Sequence, residues 1–298
     1  MSAAPNYAYT SEQVTAAFNE IKTELFRGKT AEVTPKILVV AGLQGSGKTF
    51  LLENKLLPSE RYENYVRLYL PKYRQKHPQY AEMIKISVLH AYEHTEAFVL
   101  EVSTKIFTEA FTLKYNIIME CAFDDIRFAT FAPLATAADY QFETHIVACT
   151  QEFAHVSSIK RALKSLESRE LERFVTYKDL DASMSNARAI ILAFEVASKA
   201  VSGSQISVYE RGLGVLNERA LRLHNTYTKA VDGTPSTAPN LYSAYGNIIN
   251  NDIYTPAERD EMIKECHLAL LKTQTYAQLV PDFVYNDLYA YIVKHVYR

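Results

Sequence analysis

The amino-acid sequence predicts an α/β fold, in which helices flank a mostly parallel sheet and a helical C-terminal extension follows. Three observations support this prediction. Short apolar runs alternate with helical patterns between residues 36 and 209, as in sheets whose parallel strands are joined by helices. A glycine-rich segment separates the first apolar run from the helix after it. After Gly214 the apolar runs give way to helical patterns and a loop.

The elements follow in chain order. The first of them is a helix at Ser11–Phe26, with Ser11 as its N-cap and Gly28 beyond its end. Five apolar, β-rich runs predict strands at Ile37–Ala41, Tyr65–Leu70, Asn116–Glu120, Thr144–Cys149 and Gln205–Tyr209. Stretches with helical spacing lie between them at Thr49–Leu56, His94–Leu113, Phe131–Tyr140, Ser157–Phe174 and Ser183–Ala200.

The chain after Tyr209 predicts helices and no strand. We interpret "GVLNERALRLHNTYTKA" as helical and "VDGTPSTAPNLYSAYGN" as a loop. Thr255, Pro256 and Glu258 form a capping box, which predicts a helix to about Tyr276. A tyrosine-rich helix is predicted at Asp282–Val296. The predicted units are an N-terminal helix (1–30), an α/β domain (31–212) and a helical extension (213–298).

Composition excludes several classes of function. Of 298 residues, 48% are hydrophobic and 22% are charged, as in ordinary soluble globular proteins. The formal net charge of −2 provides no general basic field that would recruit nucleic acid or an anionic membrane. No long apolar run predicts a membrane span, and the first residues do not resemble a signal peptide. We therefore expect a cytoplasmic protein that binds neither nucleic acid nor membrane.

The cysteines and histidines predict neither a disulfide nor a metal site. Cys121, Cys149 and Cys266 are widely spaced and form no CxxC pair, so we interpret them as small core residues in a reducing compartment. The segment "HAYEH", His90 to His94, fits the zinc motif H-x-x-E-H and would place both rings on one helix face. Because so short a pattern is common by chance, we interpret it as an ordinary helical surface.

The segment "GLQGSGKT" fits the phosphate-loop pattern G-x-x-x-x-G-K-[ST], between a predicted strand and a predicted helix. A loop that wraps a phosphate must turn its N–H groups inward, with φ values that glycine allows. In such loops the lysine, here Lys48, bridges the β- and γ-phosphates, and the hydroxyl of Thr49 ligates Mg²⁺. We predict ATP and Mg²⁺ as cofactors, with nucleotide contacts from Gly42, Leu43, Gln44, Gly45, Ser46, Gly47, Lys48 and Thr49.

Several segments between Lys36 and Gly212 together resemble the zeta toxin family, which are P-loop kinases from epsilon/zeta toxin–antitoxin systems. Besides the phosphate loop these are "YRQKHPQY", "TLKYNIIMEC", "SSIKRALKSL", "LERFVT" and "ISVYERG". The resemblance implies a P-loop kinase-like fold and ATP-dependent phosphorylation of a hydroxyl on UDP-N-acetylglucosamine or another UDP-activated sugar. It also implies a partner, a small helical antitoxin that covers the nucleotide site.

The resemblance also assigns roles to single residues. It implies that Glu120, at the end of the third strand, faces the substrate, and that Arg161 and Arg173 are lid arginines close to the transferred phosphate. Arg169 is a nearby competitor for either arginine role. The residues alone leave other readings open, because a carboxylate that ends a strand can make a structural ion pair and a mixed charge run on a helix is commonly a solvated face.

The chain departs from the family at the expected general base. The family carries an aspartate there, after its second strand, whereas this chain has Pro71 and no aspartate between residues 60 and 82. After its glutamate the family favours Gly-Thr and then an arginine, where this chain reads "CAFDD". The candidates to replace the base are Glu120, Asp124 and Asp125, although both aspartates also fit a helix N-cap. A kinase for another small molecule, or a nucleotide-binding protein with lost transferase activity, remain alternatives.

Overall fold

The protein, described from a computed structural model, is built around one mixed sheet. The structure describes residues 7–68, 71–168, 172–228, 241–251 and 253–297. Within these residues, six strands pair in the order β2-β3-β1-β4-β5-β6. They are β1 Lys36–Ala41, β2 Tyr65–Arg67, β3 Asn116–Cys121, β4 Gln141–Ala148, β5 Gln205–Glu210 and β6 Ala220–Thr226. All neighbours are parallel except β5 and β6, which confirms the predicted mostly parallel sheet.

Helices flank this sheet, as the sequence predicts. Their bounds are α1 Ser11–Leu25, α2 Lys48–Leu51 (continued by a π-helical turn, Leu52–Leu56), α3 Tyr80–Ile86, α4 Val88–Thr112, α5 Arg127–Ala137, α6 Gln151–Ser168, α7 Tyr177–Ala200, α8 Leu241–Ile249, α9 Pro256–Thr275 and α10 Asp282–Val296. Predicted positions are confirmed to within a few residues, with three exceptions. Helices α4, α6 and α7 each begin well before the predicted start. Residues 172–174, which the prediction includes in α6, lie outside any helix, and α3 is not among the predicted helices. Across the described ranges, no helix is both long enough and apolar enough to span a bilayer.

Strand β1 is covered on both faces, which explains its continuous apolar sequence. Ile37, Val39 and Ala41 join the larger apolar cluster, while Leu38 and Val40 join a smaller one on the other face. The last residue of β1 lies in register with the last residue of β3, Cys121. The segments after these two strands therefore leave the sheet side by side, at the carboxyl edge where ligands bind in such folds.

The prediction of no strand after Tyr209 is wrong. Strand β6 lies inside the segment that we interpreted as helical, and it pairs antiparallel with β5 at the edge of the sheet. The turn before it, Gly214–Glu218, is a single 3-10 helix. The segment carries leucines at alternate positions, Leu221 and Leu223, so its local pattern is ambiguous, and pairing with the free edge of β5 decides for the strand.

Smaller corrections concern element ends. Thr10, and not Ser11, is the N-cap of α1, because its hydroxyl accepts from the backbone N–H of Gln13. Part of the predicted loop is helical as α8. Strand β2 ends at Arg67, and the last two residues of its predicted range lie outside the described residues. The capping box at Thr255 is confirmed, as are the bounds of α10.

The C-terminal helices pack against the α/β core. Helices α9 and α10 contact each other and α6, and the apolar contacts of α10 include the buried Leu288 and Tyr291.

The three cysteines are buried and free, as the sequence predicts. A ring of Tyr7 lies against His90 and His94, whose own ring centroids are 4.2 Å apart on α4. The sheet places the ends of β1 and β3 side by side, and the start of α6 lies against the loop that follows β1.

Candidate active site

The loop after β1, Gly42–Thr49, is the phosphate loop. Its geometry requires glycine where it approaches α6 and where it enters α2. A Cβ on Gly45 would lie 1.9 Å from the carbonyl oxygen of Ala154, and the φ of Gly45 is +85°. Gly47 has a φ of +90°, a conformation that L side chains rarely adopt. The loop is therefore held in a shape that exposes its backbone rather than side chains.

The other side chains of the loop are tied inward or to a neighbouring segment. Leu43 is buried, and its carbonyl oxygen accepts from the backbone N–H of Ser46 at 3.1 Å. The Ser46 hydroxyl is buried and has no hydrogen-bond partner among the described residues. Gln44 donates to the carboxylate of Glu172 at 3.4 Å, which links the loop to the segment before α7. These contacts hold the side chains of Leu43 and Gln44 away from the backbone N–H groups of the loop.

Lys48 is the buried cation of the site. Its Nζ donates to the carbonyl oxygen of Leu43 at 2.9 Å, and no carboxylate of the described residues lies within 4.0 Å of it. Burial lowers the pKa of Lys48, and the negative charges of Glu120 and Asp124 oppose that shift. A buried ammonium that bonds only to a neutral oxygen is costly, so an anion in the loop would stabilise it.

Glu120 joins the loop to β2. One carboxylate oxygen accepts from the Thr49 hydroxyl at 2.9 Å, and the other pairs with the Arg67 guanidinium at 3.2 Å. Arg67 also pairs with Glu53, from the π-helical turn after α2, at 2.6 Å. Sequence reasoning missed Arg67 and Glu53. Glu120 therefore makes the structural ion pair that was the alternative to a substrate contact, and it also bonds to the phosphate loop.

These oxygens fit a magnesium site. A threonine hydroxyl and a carboxylate at hydrogen-bond distance supply the hard oxygen ligands that Mg²⁺ prefers, and Mg²⁺ usually takes only one or two of them from the protein. In the described part of the chain no group of three or more His, Cys, Asp and Glu residues could hold a metal. Thr49 and Glu120 are accordingly the residues that would hold Mg²⁺ beside phosphate oxygens.

The two aspartates after β3 have different surroundings. Asp125 accepts from the backbone N–H of Arg127 at 2.9 Å and pairs with its guanidinium, and these bonds lower the pKa of Asp125. The N-cap residue of α5 is Ile126, so neither aspartate is the N-cap, and Asp125 is engaged by Arg127. Asp124 is about half exposed, and its nearest cation is Arg173, at 3.9 Å. Of the two, Asp124 is the carboxylate that remains available to a ligand.

Arg161 and Arg173, for which the resemblance implies a lid role and which we call the lid pair, lie near the phosphate loop. Arg161 pairs with Glu172 at 2.5 Å, and Glu172 is the residue that also receives Gln44 of the loop. Arg173 lies 3.9 Å from Asp124, and its guanidinium lies 5.8 Å from the ring centroid of Tyr92. Both side chains are exposed to solvent by about half, and Arg169 lies outside the described residues. The lid pair is thus close to the loop and matched by carboxylates.

A second arginine pair lies on the other side of the loop, and sequence reasoning missed it. Arg211 directly follows β5 and donates to the carbonyl oxygen of Gly45 at 3.0 Å. Arg219 directly precedes β6 and lies 3.5 Å from the carbonyl oxygen of Gly47. We call Arg211 and Arg219 the loop pair. The position of Arg211 after a predicted strand was a usable signal, whereas Arg219 depends on a strand that was not predicted.

The segment after β2, where the family carries its general base, has a structural role in this chain. Pro71 begins a 3-10 turn, Pro71–Lys76, that follows β2. Within that turn Arg74 is almost fully buried, and it donates to Tyr92 and Thr95 of α4 and pairs with Glu96. The turn therefore packs against α4, and the described carboxylates that bond to the loop are Glu120 of β3 and Glu172, not a residue of this turn.

Comparison with known sequences gives one family and several relatives. The model of the zeta toxin family matches residues 22–219. Toxin zeta of Streptococcus pyogenes is 23% identical over 155 residues, which are 51% of this chain and 53% of that protein. Toxin zeta of Enterococcus hirae is 24% identical over 140 residues, 46% of this chain and 48% of that protein. The chain spans about half the length of these curated relatives.

Solved structures share the fold. A chain from the PezAT chromosomal toxin–antitoxin system of Streptococcus pneumoniae has a TM-score of 0.64 and 16% identity, and the match covers 91% of this chain and 98% of that one. The AvrRxo1-ORF1:-ORF2 complex with ATP has a TM-score of 0.55 and 11% identity, over 94% of this chain and 86% of that one. At such identities the likeness concerns the fold alone.

Proposed function

The chain belongs to the zeta toxin family, and from this premise we propose that it transfers the γ-phosphoryl group of ATP to a hydroxyl of a UDP-activated sugar such as UDP-N-acetylglucosamine. One observation carries the proposal. The Thr49 hydroxyl of the phosphate loop bonds directly to Glu120, at the edge where a substrate would lie. The nucleotide side and the acceptor side of a kinase site are therefore adjacent in this chain.

The chain's own groups divide the work of the reaction. Backbone N–H groups of the phosphate loop bind the phosphates, and Lys48 exchanges its bond to Leu43 for a bond to phosphate oxygens. Thr49 and Glu120 would hold Mg²⁺, which would supply positive charge to the phosphate oxygens. Arg161 and Arg173 add positive charge where the transferred group becomes more negative. Transfer through a loose transition state depends mainly on such positioning and charge.

Asp124 is our candidate for the group that takes the proton of the acceptor hydroxyl. Glu120 is engaged by Thr49 and Arg67, and Asp125 is engaged by Arg127. Asp124 has only a 3.9 Å contact with Arg173 and is half exposed. A base typically contributes about 10²–10⁴-fold, so the proline at the family's aspartate position is compatible with a working, slower kinase.

We also propose a biological setting. The chain acts as the toxin of a toxin–antitoxin pair in the cytoplasm, and a small helical antitoxin covers the nucleotide site. Family membership supports this, together with two structural neighbours, one from a toxin–antitoxin system and one from a two-protein complex with ATP. Toxicity on expression, relieved by co-expression of a neighbouring small protein, is the expected result.

A specific observation favours a second candidate, a kinase with a different acceptor. The family's base position is Pro71, and no aspartate lies between residues 60 and 82. If the acceptor differs, ATP turnover will be stimulated by other hydroxyl compounds and not by UDP-sugars. A third candidate, a nucleotide-binding protein without transferase activity, predicts ATP binding with no transfer to any of them.

The test is a transfer assay with purified protein, ATP, Mg²⁺ and UDP-N-acetylglucosamine. We expect ADP and a phosphorylated sugar in equal amounts, and no product from the Lys48→Met variant. Arg222→Gln is the matched control, because Arg222 lies on β6 and pairs with Glu210. ATP binding without a phosphorylated sugar would refute the proposed acceptor, and no ATP binding would refute the kinase assignment itself.

A further inference from the structure

The loop pair is held by parts of the sheet that lie opposite the acidic groups of the site. In the strand order, β3 with Glu120 is on one side of β1, whereas β4, β5 and β6 are on the other. Arg211 follows β5 and Arg219 precedes β6. The phosphate loop, which follows β1, therefore lies between the carboxylates on one side and the loop pair on the other.

The loop pair has no acidic partner among the described residues. The polar contacts of the two guanidinium groups are to neutral oxygens: those of Gly45, Gly47 and Asn217. No described carboxylate lies within 4.0 Å of either group, and both Nε atoms are inaccessible to solvent and have no hydrogen-bond partner. Burial lowers the pKa of Arg211, and it lowers that of Arg219 to about 10. The charge of Glu218 offsets this shift only in part at Arg219, and two neighbouring, partly desolvated cations without a carboxylate in contact are expensive to hold.

Aromatic rings lie against both guanidinium groups, and the backbone of Arg219 is strained. The Arg219 guanidinium lies 4.1 Å from the ring centroid of Phe50, and that of Arg211 lies 4.9 Å from the ring centroid of Phe153. Arg219 itself has a φ of +66°, which is uncommon for a residue with a side chain. Such costs are tolerated where the surrounding structure enforces them, commonly at binding sites.

Both groups also lie beside Gly47, the residue that directly precedes the lysine of the phosphate loop. A Cβ on Gly47 would lie 2.5 Å from a terminal nitrogen of Arg219 and 2.8 Å from one of Arg211. Gly47 directly precedes Lys48, and in such loops the lysine reaches the β- and γ-phosphates while the backbone cradles the α- and β-phosphates. Thr49, the neighbour of Lys48, bonds to Glu120 on the β3 side of the loop at 2.9 Å, so we assign the γ-phosphate end to that side. The α-phosphate end then points toward β5 and β6.

We propose that Arg211 and Arg219 bind the α-phosphate of the nucleotide. This phosphate is the anionic partner that the two guanidinium groups lack among the described residues. The assignment rests on the proposed function, because it requires that the loop binds a nucleotide. Arginine presents a planar fork of donors that suits phosphate oxygens, and one terminal nitrogen of each group is already close to the loop. The two arginine pairs then serve opposite ends of the phosphate chain.

The experiment compares ligands with and without an α-phosphate. We would measure the binding of ADP and of pyrophosphate by calorimetry, without turnover, for the wild type, Arg211→Gln, Arg219→Gln and the control Arg222→Gln. The expected result is a loss of ADP affinity of about 10- to 100-fold in each loop-pair variant, from a lost bond between charged groups. Pyrophosphate affinity should stay within about twofold in the same variants, and Arg219→Lys should recover part of the ADP affinity.

Each other outcome contradicts the inference in an identifiable way. If ADP and pyrophosphate lose affinity equally, the loop pair merely supports the loop. If both affinities are unchanged, another anion, such as a carboxylate of a protein partner, is the ligand. If the wild type binds no ADP, the proposed function fails together with the inference, whereas unchanged binding in the variants sinks the inference alone. The ³¹P resonance of bound ADP gives a second readout, with a changed α signal expected in Arg219→Lys.

Discussion

The lid pair and the loop pair are both formed by arginines at the rim of one phosphate loop, yet their surroundings differ. Arg161 and Arg173 are about half exposed, and each lies near a carboxylate, Glu172 or Asp124. Arg211 and Arg219 bond to loop carbonyls and have no described carboxylate partner. The lid pair is neutralised before any ligand arrives and is free to change partners. The loop pair is already in place, so it is suited to binding rather than to a step of the reaction.

The largest expected effect comes from removing the cation that lies between the two pairs. Lys48→Met should lower the rate of phosphoryl transfer by at least about 10³-fold, because the lysine stabilises charge that grows in the transition state. It should also weaken ADP binding, since the buried Nζ exchanges its bond to Leu43 for phosphate oxygens. Transfer kinetics and calorimetry check both. A variant that kept its rate would mean that the reaction does not use this loop.

The next largest effect distinguishes the lid pair from the loop pair. Arg173→Gln should lower kcat for transfer by about 10²-fold and leave ADP affinity within about twofold, because its target charge appears only in the transition state. The loop-pair variants should show the reverse pattern, with weakened ADP binding. Single-turnover rates at saturating ATP make the comparison. Equal losses of rate and ADP affinity in Arg173→Gln would remove the distinction between the pairs.

The sequence predicts the phosphate loop and the buried strands better than it predicts the two arginine pairs, for a physical reason. The phosphate loop is a local motif, because its glycines, Lys48 and Thr49 are neighbours in the chain, and its shape follows from backbone sterics. Strands β1, β3, β4 and β5 were also predicted, since buried parallel strands are continuous apolar runs. The lid pair came only from resemblance to a family. Of the loop pair, Arg211 follows the predicted strand β5, whereas Arg219 depends on β6, whose identity is decided by pairing with β5 rather than by its own residues.

A smaller effect is expected from the C-terminal helix that supports the lid side. His155 on α6 donates through Nε2 to the carbonyl oxygen of Val175, so its Nδ1 accepts from the Tyr291 hydroxyl of α10 at 2.7 Å. Tyr291→Phe leaves that buried nitrogen without a partner and should lower the free energy of unfolding by about 1–3 kcal/mol. Transfer should slow a few-fold, since Val175 lies two residues from Arg173.

Urea unfolding measures the change, with Tyr289→Phe as the matched control, because Tyr289 is an exposed tyrosine of the same helix. ADP affinity should remain that of the wild type, because Arg211 and Arg219 are carried by the ends of β5 and β6 and not by α10. Loss of ADP binding in Tyr291→Phe would show that the C-terminal helix supports the loop as well, and the two regions would then not be independent.

The same histidine predicts a modest pH dependence. Burial lowers the pKa of His155 below its ordinary value of 6.5, against the opposing charges of Asp287 and Asp179. The folded protein therefore keeps His155 neutral while the unfolded chain binds a proton as the pH falls below about 6.5. Its contribution to stability is complete above that pH and declines as the pH falls toward the folded pKa. His155→Gln should flatten this part of the stability curve, and an unchanged slope would exclude His155 as its source.

The smallest effect is expected at Arg222. This variant tests whether contact with the loop, or the general positive charge of this edge of the sheet, attracts the nucleotide. Arg222 lies on β6 three residues after Arg219, but it is half exposed and pairs with Glu210 at 2.5 Å. Such a surface ion pair is worth about 0–1 kcal/mol, and it is screened by salt. Arg222→Gln should therefore change the free energy of unfolding by less than about 1 kcal/mol and leave ADP affinity unchanged. If it weakened ADP as much as Arg219→Gln at 0.15 M salt, the general positive charge of this edge, and not contact with the loop, would attract the nucleotide.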